Sequence, residues 1–280
     1  MLRKCWFETV YRQMPMPQCL FLKEVKMIEK RNILILSAGR RVELVKAFQQ
    51  ALAEYFPQAT VFATDLNPKL SAACHTVQQS FKAPRVTAPE YIDYLLGLCS
   101  QHAIGLVIPT IDTELNVLAQ NRSKFESDGI NLIISGDGFV TACRDKRKTA
   151  AVFDDLDISQ PFIYKKDNIK FPCFCKPYDG SCSIGAIALE TEDCLTSELL
   201  DNEKNMFMEL ISKEYSEYTI DAYYDKQNRL RCMVPRERLE VRGGEVSKGA
   251  TRKNYVYDYL LGRLDRIDDA VGCLTFQVFA

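Results

Sequence analysis

Short, wholly apolar runs alternate with amphipathic segments between residues 31 and 140 of the chain. Strands are predicted at residues 31–36, 61–65, 105–109 and 130–134, and helices at 42–55, 91–102 and 114–125. Strands that are buried on both faces lack polar alternation, and the helices that connect them carry a single apolar stripe. This alternation is typical of an α/β domain built on a doubly wound parallel sheet.

Polar residues fall at or just past the carboxyl ends of these strands, and they are Ser37, Asp65, Asp112 and Glu114. Doubly wound sheets bind their ligands at that edge. A dinucleotide-binding dehydrogenase is one alternative, but Arg40 and Arg41 stand where its fingerprint needs glycines. We therefore expect Ser37, Arg40 and Arg41 to form a small anion site at the start of the first helix, or simply a helix cap.

The pattern changes at about residue 141, where a basic helical segment at 143–148 opens a region of shorter strands. Strands are predicted at residues 171–176, 184–190, 206–211, 218–224, 230–235 and 274–280. They alternate with polar residues and tight turns, which is typical of antiparallel sheets in an α+β domain. The chain is therefore predicted to contain a parallel-sheet domain followed by an α+β domain.

Charge and hydropathy exclude several classes of protein. The 280 residues include 36 Lys and Arg against 37 Asp and Glu, a net charge of −1. Such a balance argues against a general nucleic-acid-binding protein, which carries a basic face. The longest apolar run, residues 33–36, has the length of a strand and falls far short of the roughly 20 residues of a membrane span. We expect neither nucleic acid nor membrane as a partner.

Eleven cysteines, an odd number without repeated paired spacing, predict free thiols and a cytoplasmic location. Cys173 and Cys175 share one face of a predicted strand, so zinc binding is an alternative to the simpler role of small buried apolar residues. Residues 1–30 have no uninterrupted apolar core and no small-residue cleavage site, so we do not expect a signal peptide, and Met27 stands just before the first strand. We predict a poorly ordered extension there, with Met27 as an alternative start of the functional chain.

The most informative segment is the turn that follows Lys176. Its small residues are Gly180, Ser181, Ser183 and Gly185. Backbone N–H groups of such a turn can point at an anion, and hydroxyls add further donors. The segment is not a Walker loop, because the lysine precedes the glycines. Taken alone, such a segment is more often an ordinary hairpin turn.

Two further segments extend this picture. The strand edge at 209–211 can offer backbone donors and acceptors to a flat base, and the carboxylate of Glu217 can accept both hydroxyls of a ribose. Lys146, about 30 residues before Lys176, supplies a second cation for a polyphosphate. Each alone is also consistent with a solvated strand or helix face.

In this order and spacing, the segments resemble the ATP-grasp superfamily, most closely the ATP-grasp halves of the carbamoyl phosphate synthase large subunit. The resemblance covers roughly residues 31–280 and includes the element at 108–115 (IPTIDTEL). It implies a Rossmann-like pre-ATP-grasp domain followed by an ATP-grasp fold with two lobes. The implied boundaries are 31–140 for the first domain, 141–206 for the lid subdomain and 207–280 for the C-terminal lobe.

The resemblance also implies roles for individual residues. Lys146 and Lys176 would bind phosphate, with the loop containing Gly180, Ser181, Ser183 and Gly185 closing over it. The adenine-reading hinge and the ribose ligand would be Glu209, Leu210, Ile211 and Glu217. Arg236 would contact an acyl phosphate or carboxylate, or equally belong to a surface network of Arg and Glu side chains, and Gln277 would be the first metal ligand. Lys146, Lys176 and Arg236 are thus the implied catalytic residues.

The implied activity is an ATP-dependent carboxylate–amine or carboxylate–thiol ligase that uses Mg²⁺ or Mn²⁺ and an acyl-phosphate intermediate. A small carboxylate and an amine or thiol acceptor would be its substrates. The family's Glu-x-Asn-Pro-Arg strand of metal ligands is not found before Ala280. We therefore weigh a truncated or split protein that binds nucleotide or ligand without turnover, and expect a homodimer or a partner chain that completes the fold.

Overall fold

The computed structural model describes residues 30–180, 184–242 and 245–280. The expectations for the extension at 1–29 and for Ser181 and Ser183 lie outside these residues. The chain divides into two units by internal contacts. Unit 1 runs to Val140 and includes Ala270–Gly272, and unit 2 contains Thr141–Asp269 and Cys273–Ala280.

Unit 1 is built on a five-stranded parallel sheet. Its strands are β1 Asn32–Ile35, β2 Val61–Asp65, β3 Ser80–Lys82, β4 Ile104–Ile108 and β5 Asn131–Leu132. Its helices are α1 Val42–Tyr55, α2 Tyr91–Gln101, α3 Asp112–Gln120 and α4 Arg122–Ser127, and α5 Asp137–Arg144 continues into unit 2. The strand order is β3-β2-β1-β4-β5, and every neighbouring pair is parallel. The predicted α/β fold class is confirmed.

The core of unit 1 follows from the apolar pattern. All residues of β4 are buried, as are Ile33, Leu34 and Ile35 of β1. The helices contribute one buried stripe each, with Val45, Phe48 and Leu52 buried on α1. Leu95 and Phe125 are completely buried in the cluster on the other side of the sheet. This burial is the main stabilising contribution, at about 25 cal/mol per Å² of apolar surface removed from water.

Two details of unit 1 differ from the expectations. The helix predicted at 114–125 is two helices, α3 and α4, which meet at Asn121. The Asn121 amide nitrogen donates to the carbonyl of Val117 at 2.9 Å, and this local bond competes with continued helix. The sequence pattern also missed the edge strand β3, whose three residues are too few to show a periodicity.

Unit 2 contains two four-stranded sheets. The strands of the first are β6 Ile163–Tyr164, β7 Cys173–Pro177, β8 Ile187–Leu189 and β9 Asn205–Glu209, in the order β6-β9-β7-β8. Those of the second are β10 Glu217–Tyr224, β11 Leu230–Arg242, β12 Glu245–Thr251 and β13 Gly272–Phe279, in the order β12-β11-β10-β13. The helices are α6 Lys146–Asp155, α7 Ser197–Asp201 and α8 Tyr255–Leu260. The expected antiparallel pairing is confirmed for β10 with β11 and for β7 with its two neighbours.

Strand limits in unit 2 differ from the sequence pattern in two places. β9 ends at Glu209 and not at Ile211, because its partner β7 begins at Cys173 and the preceding Pro172 has no N–H to extend the ladder. β11 continues through Arg242 instead of ending at Pro235, and β12 was not predicted. Charged residues give this hairpin little apolar alternation, but pairing between the two strands satisfies its backbone.

The described cysteines all carry free thiols, as expected for the whole set. Cys173 and Cys175 are fully buried in the small core of the first sheet of unit 2, with Leu189 and Phe207. No group of three or more His, Cys, Asp or Glu residues in the described ranges could hold a metal ion. The apolar role of the two cysteines is therefore favoured over zinc binding. Within the same ranges, no helix combines the length and apolarity that a membrane crossing requires.

Gly272 provides a test of close packing in unit 1. Its φ is +86°, and a Cβ there would lie 2.8 Å from Cγ2 of Ile133, closer than real contacts allow. Gly262, with φ of +91°, has open space around the same position. We expect Gly262→Ala to lower the free energy of unfolding by about 1 kcal/mol through backbone strain alone. Gly272→Ala adds a clash and should cost about 2–4 kcal/mol, as measured by urea denaturation. Equal losses would contradict this packing.

Candidate functional site

Two predicted phosphate-binding lysines lie close together in unit 2. Lys176 is near the end of β7, and Lys146 is the first residue of α6. Burial lowers the pKa of Lys176, and the positive charge of Lys146 lowers it further. Like charges repel, so a site with two such lysines is stabilised by a bound anion. The structure thus brings these two residues together as the resemblance implied.

Lys146 is also tied to the segment that follows Lys176. Its ammonium group donates to the carbonyl of Gly180 and, at 3.4 Å, to that of Tyr178. The backbone N–H of Lys146 donates to the same Tyr178 carbonyl at 3.0 Å. The first turn of α6 is therefore held directly against the start of the glycine-containing loop.

Asp145 and Arg147 strengthen this contact. Asp145 caps α6 by accepting the backbone N–H of Arg147 at 3.0 Å, and its carboxylate binds the Arg147 guanidinium at 2.6 Å. These bonds hold the pKa of Asp145 below its usual value. The guanidinium lies 3.7 Å from the centroid of the Tyr178 ring, a cation–π distance. Neither Arg147 nor Tyr178 was singled out from the sequence.

The two predicted loop glycines stand on either side of Ser181 and Ser183. A Cβ on Gly180 would lie 3.3 Å from the Cβ of Pro177, and one on Gly185 would lie 3.2 Å from its Cγ. Gly185 also has a φ of +74°, which larger residues rarely adopt. Both glycines therefore allow the backbone to pass close to Pro177 at the end of β7.

The predicted hinge lies at the end of β9. The Glu209 backbone N–H donates to the carbonyl of Phe162 at 2.8 Å, and its carboxylate accepts the N–H of the same residue at 3.2 Å. Glu209 thus fixes the segment that leads into β6. Leu210 and Ile211 come after the strand and are half-buried. Because its backbone N–H is engaged by Phe162, Glu209 does not offer that donor to a base.

A polar cluster covers one face of the second sheet of unit 2. Its members, called here the sheet-face cluster, are Glu217, Thr219, Asp221, Arg236, Arg238, Thr275 and Gln277. Side chains two residues apart on a strand share a face, which is why the predicted residues Glu217, Arg236 and Gln277 have these neighbours. Three of the predicted site residues are therefore brought onto one surface.

Arg238 is the most buried charge of this cluster. Its side chain is 10% exposed and binds the Glu217 carboxylate at 3.1 Å and the Thr219 hydroxyl at 3.2 Å. Glu217 also accepts a hydrogen bond from the side-chain amide of Gln277. Arg238 was not predicted as a site residue, although its spacing from Arg236 places both on one strand face.

Asp221 holds the other half of the cluster. Its carboxylate lies 3.3 Å from the Arg236 guanidinium and accepts the Thr275 hydroxyl at 3.1 Å. Arg236 is about two-fifths exposed, so it can contact both Asp221 and a ligand. The predicted acyl-phosphate contact is thus a partly exposed cation on a polar face.

Gln277 does not form a magnesium site by itself. Its amide nitrogen donates to Glu217, so only the amide oxygen is left for a cation. Glu217, the carboxylate in contact with it, is already paired with Arg238. Mg²⁺ prefers carboxylate oxygens together with phosphates and water. The described residues therefore do not fit a resident magnesium ion.

Unit 1 brings together a second set of polar residues at the carboxyl edge of its sheet. Glu114 lies in the first turn of α3, and its Oε1 accepts the hydroxyls of Ser37 at 2.5 Å and Tyr91 at 2.8 Å. Asp65 accepts the backbone N–H groups of Gly39 at 3.1 Å and Asn67 at 2.9 Å. An Asp65 carboxylate used in this way is poorly placed to bind a ribose, which argues against a dehydrogenase.

Comparison with known proteins gives a family match for part of the chain and a fold match for most of it. Residues 33–133 match the family described as the PylC-like N-terminal domain. No curated protein sequence gives a significant match. Over 84–89% of its length the chain is similar in fold to ATP-grasp enzymes, as in the following solved structures.

The biotin carboxylase domain of the Hydrogenobacter thermophilus 2-oxoglutarate carboxylase, solved with MgADP, ADP and bicarbonate, matches with a TM-score of 0.68 and 14% identity. That match covers 89% of this chain and 60% of the other. The Staphylococcus aureus N5-carboxyaminoimidazole synthetase with ADP gives a TM-score of 0.64 and 12% identity, with coverages of 89% and 66%. The L-amino acid ligase of Bacillus licheniformis gives 0.60 and 12%, with coverages of 84% and 58%. The chain therefore spans less than two thirds of the length of each.

Proposed function

We propose that this chain binds ATP and acts as an ATP-dependent ligase that joins a small carboxylate to an amine or a thiol. The observation that carries the proposal is the pair Lys146 and Lys176, held together beside the start of a glycine-containing loop. Both lysines are half-buried, and the positive charge of Lys146 adds to burial in lowering the pKa of Lys176, which is an unfavourable arrangement without an anion. The phosphates of a nucleotide would compensate both.

The chemistry would consist of positioning and charge stabilisation. Attack of a carboxylate on the γ-phosphate gives an acyl phosphate and ADP, and the amine or thiol then displaces phosphate. Lys146 and Lys176 would neutralise the transferring phosphoryl group, and Arg236 would hold the carboxylate or its acyl phosphate. Gly180, Ser181, Ser183 and Gly185 would cover the phosphates.

The remaining predicted residues would bind the nucleoside. The carbonyl of Glu209 and the backbone of Leu210 and Ile211 would face the adenine. Glu217 would bind the ribose, for which it would have to exchange part of its contact with Arg238. Mg²⁺ or Mn²⁺ would enter with ATP and be held by its phosphates and water, with Gln277 contributing at most one amide oxygen, because the described residues form no metal site of their own. The proposal needs only the ATP-grasp fold and not a closer likeness to carbamoyl phosphate synthase.

A second candidate is a protein that binds nucleotide without turnover. It is favoured by the sheet-face cluster, in which Arg238 engages Glu217 and Arg236 engages Asp221. Carboxylates that are paired in this way are poor ligands for the metal that phosphoryl transfer needs. This candidate keeps the roles of Lys146 and Lys176 and removes those of Arg236 and Gln277 in catalysis.

Calorimetry and an ADP-release assay together test both candidates. We expect Mg-ATP to bind the full chain in either case. Release of ADP that depends on an added carboxylate and amine would support the ligase. Binding with no ADP release across a panel of carboxylates and amino acids would favour the non-catalytic candidate. Absence of ATP binding would refute both, since both rest on the same two lysines.

A further inference from the structure

Unit 1 contains an open groove of about 600 Å³, and none of the site residues predicted from the sequence lines it. One wall is a face of α3 that is continued by α4. The other wall is the segment 86–89 together with the first turn of α2. Sites for small ligands have volumes of about 300–1,000 Å³, so the groove is large enough for one.

The floor of the groove is aliphatic. Ile92 belongs to the buried core cluster of unit 1, and the half-buried Val86 and Val117 pack against that cluster. Among the described residues, no aromatic side chain lines the groove, so it lacks the flat surface on which a nucleobase stacks. The floor therefore favours aliphatic groups of a ligand.

Charge along the groove is balanced. The charged residues of the described lining are Asp93 and Lys124, and both are exposed. One exposed charge of each sign creates no field that attracts a polyanion or a polycation, and each charge is solvated by water. The groove is thus suited to an uncharged ligand.

Asn116, in the middle of α3, contributes an unsatisfied amide group. Its side-chain oxygen is buried and has no hydrogen-bond partner among the residues that the structure describes, although the side chain lines the groove. A buried amide oxygen without a donor costs free energy. Rotation of this amide toward the groove sacrifices no hydrogen bond of the oxygen, and a ligand with N–H and C=O groups would satisfy both of its ends.

Gln120 repeats the same chemistry one turn further along α3. Residues four positions apart lie on one face of a helix, with Cβ atoms about 6 Å apart. Alternate residues of an extended peptide are about 6.5 Å apart and present their N–H and C=O groups on the same side. The two side-chain amides on α3 therefore match alternate residues of an extended backbone.

We propose that this groove binds an uncharged peptide segment in an extended conformation along α3. The amides of Asn116 and Gln120 pair with N–H and C=O groups of the peptide backbone. Aliphatic side chains of the peptide lie on the floor formed by Val86, Ile92 and Val117. The site belongs to unit 1 and uses none of the residues assigned to ATP, so it goes beyond the proposed ligase activity.

Calorimetry of the full chain with the capped tripeptide acetyl-Ala-Val-Ala-amide tests the site. The same tripeptide with N-methylated peptide bonds keeps its carbonyls and loses its donors, so it should bind at least about tenfold more weakly. Uridine represents the other class of ligand with a donor–acceptor edge, and it should bind more weakly than the tripeptide because the groove offers no stacking surface.

Asn116→Leu should weaken binding of the tripeptide by about tenfold. Its melting temperature should equal or exceed that of the wild type, because leucine removes a buried oxygen that has no partner, whereas loss of a structural asparagine would lower it. Gln120→Leu alters an exposed residue, so it should fold normally and also weaken binding. The controls are Gln50→Leu, an exposed glutamine of α1, and Lys176→Ala, and both should bind the tripeptide as the wild type does.

Four results would each overturn the proposal. They are absence of tripeptide binding to the wild type, equal binding of the N-methylated tripeptide, tighter binding of uridine than of the tripeptide, and wild-type affinity in both Asn116→Leu and Gln120→Leu. None of these results bears on the ATP site, because Lys176→Ala tests that site separately.

Discussion

Lys176→Ala should weaken Mg-ATP binding to the full chain by about ten- to a hundredfold, the effect of one charged hydrogen bond to phosphate. Lys176 is half-buried, and burial followed by the positive charge of Lys146 lowers its pKa, so its charge is poorly compensated without an anion. Its proximity to Lys146 concentrates positive charge where the phosphates would lie. Isothermal titration calorimetry measures the change directly.

The matched control is Lys170→Ala, which removes an exposed lysine from the same unit. It should leave the affinity for Mg-ATP within about twofold of the wild type, because an exposed charge in water contributes little. Lys176→Arg should lose less affinity for Mg-ATP than Lys176→Ala, because arginine keeps the positive charge but carries it on a guanidinium group of different shape. Equal affinities of the wild type and Lys176→Ala would show that the nucleotide site has been placed wrongly.

Arg238→Met is expected to lower the free energy of unfolding by about 2–4 kcal/mol. The Arg238 side chain is 10% exposed, and its removal leaves the three-quarters-buried Glu217 without its ion-pair partner. Methionine keeps much of the volume, so the loss reports mainly on charge and hydrogen bonding. Urea denaturation followed by circular dichroism gives the value.

Arg242→Met is the control on the same strand. Its side chain is 77% exposed and pairs with Glu240, so we expect a loss within about 0.5 kcal/mol. The double variant Arg238→Met, Glu217→Gln should recover part of the stability, because the unpaired carboxylate is then neutral. If Arg238→Met were as stable as Arg242→Met, the ion pair between Arg238 and Glu217 would not stabilise the sheet-face cluster.

The two lysines and the sheet-face cluster illustrate how chemistry depends on chain segments far apart in sequence. Lys146 contacts the carbonyl of Gly180, and Gln277 contacts Glu217 across 60 positions. A motif can indicate that each residue is suited to a ligand. Only the pairing of strands shows that Glu217 is shared between Gln277 and Arg238, and this sharing bears on whether the site can hold a metal.

Local sequence was sufficient wherever one periodicity dominates. The helix at Val42–Tyr55 and the strand at Val61–Asp65 have the predicted limits, because apolar residues recur there at the spacing of a single element. The class of unit 1 followed from the same alternation. Lys176 and the glycines after it were also recognisable, since a strand end and a turn need only neighbouring residues.

Tertiary structure decided the features that depend on contacts between segments far apart in the sequence. β11 extends to Arg242 and β12 exists because the backbones of these two strands pair. Both strands are polar, so their sequence has no apolar periodicity from which a strand could be predicted. The environment of Glu114 likewise depends on Ser37 and Tyr91, which come from other elements of unit 1. The sequence by itself therefore determined the order of elements and the residue types suited to phosphate. Packing determined which charges are paired, since burial and hydrogen bonds between distant segments set the free energy of each charge.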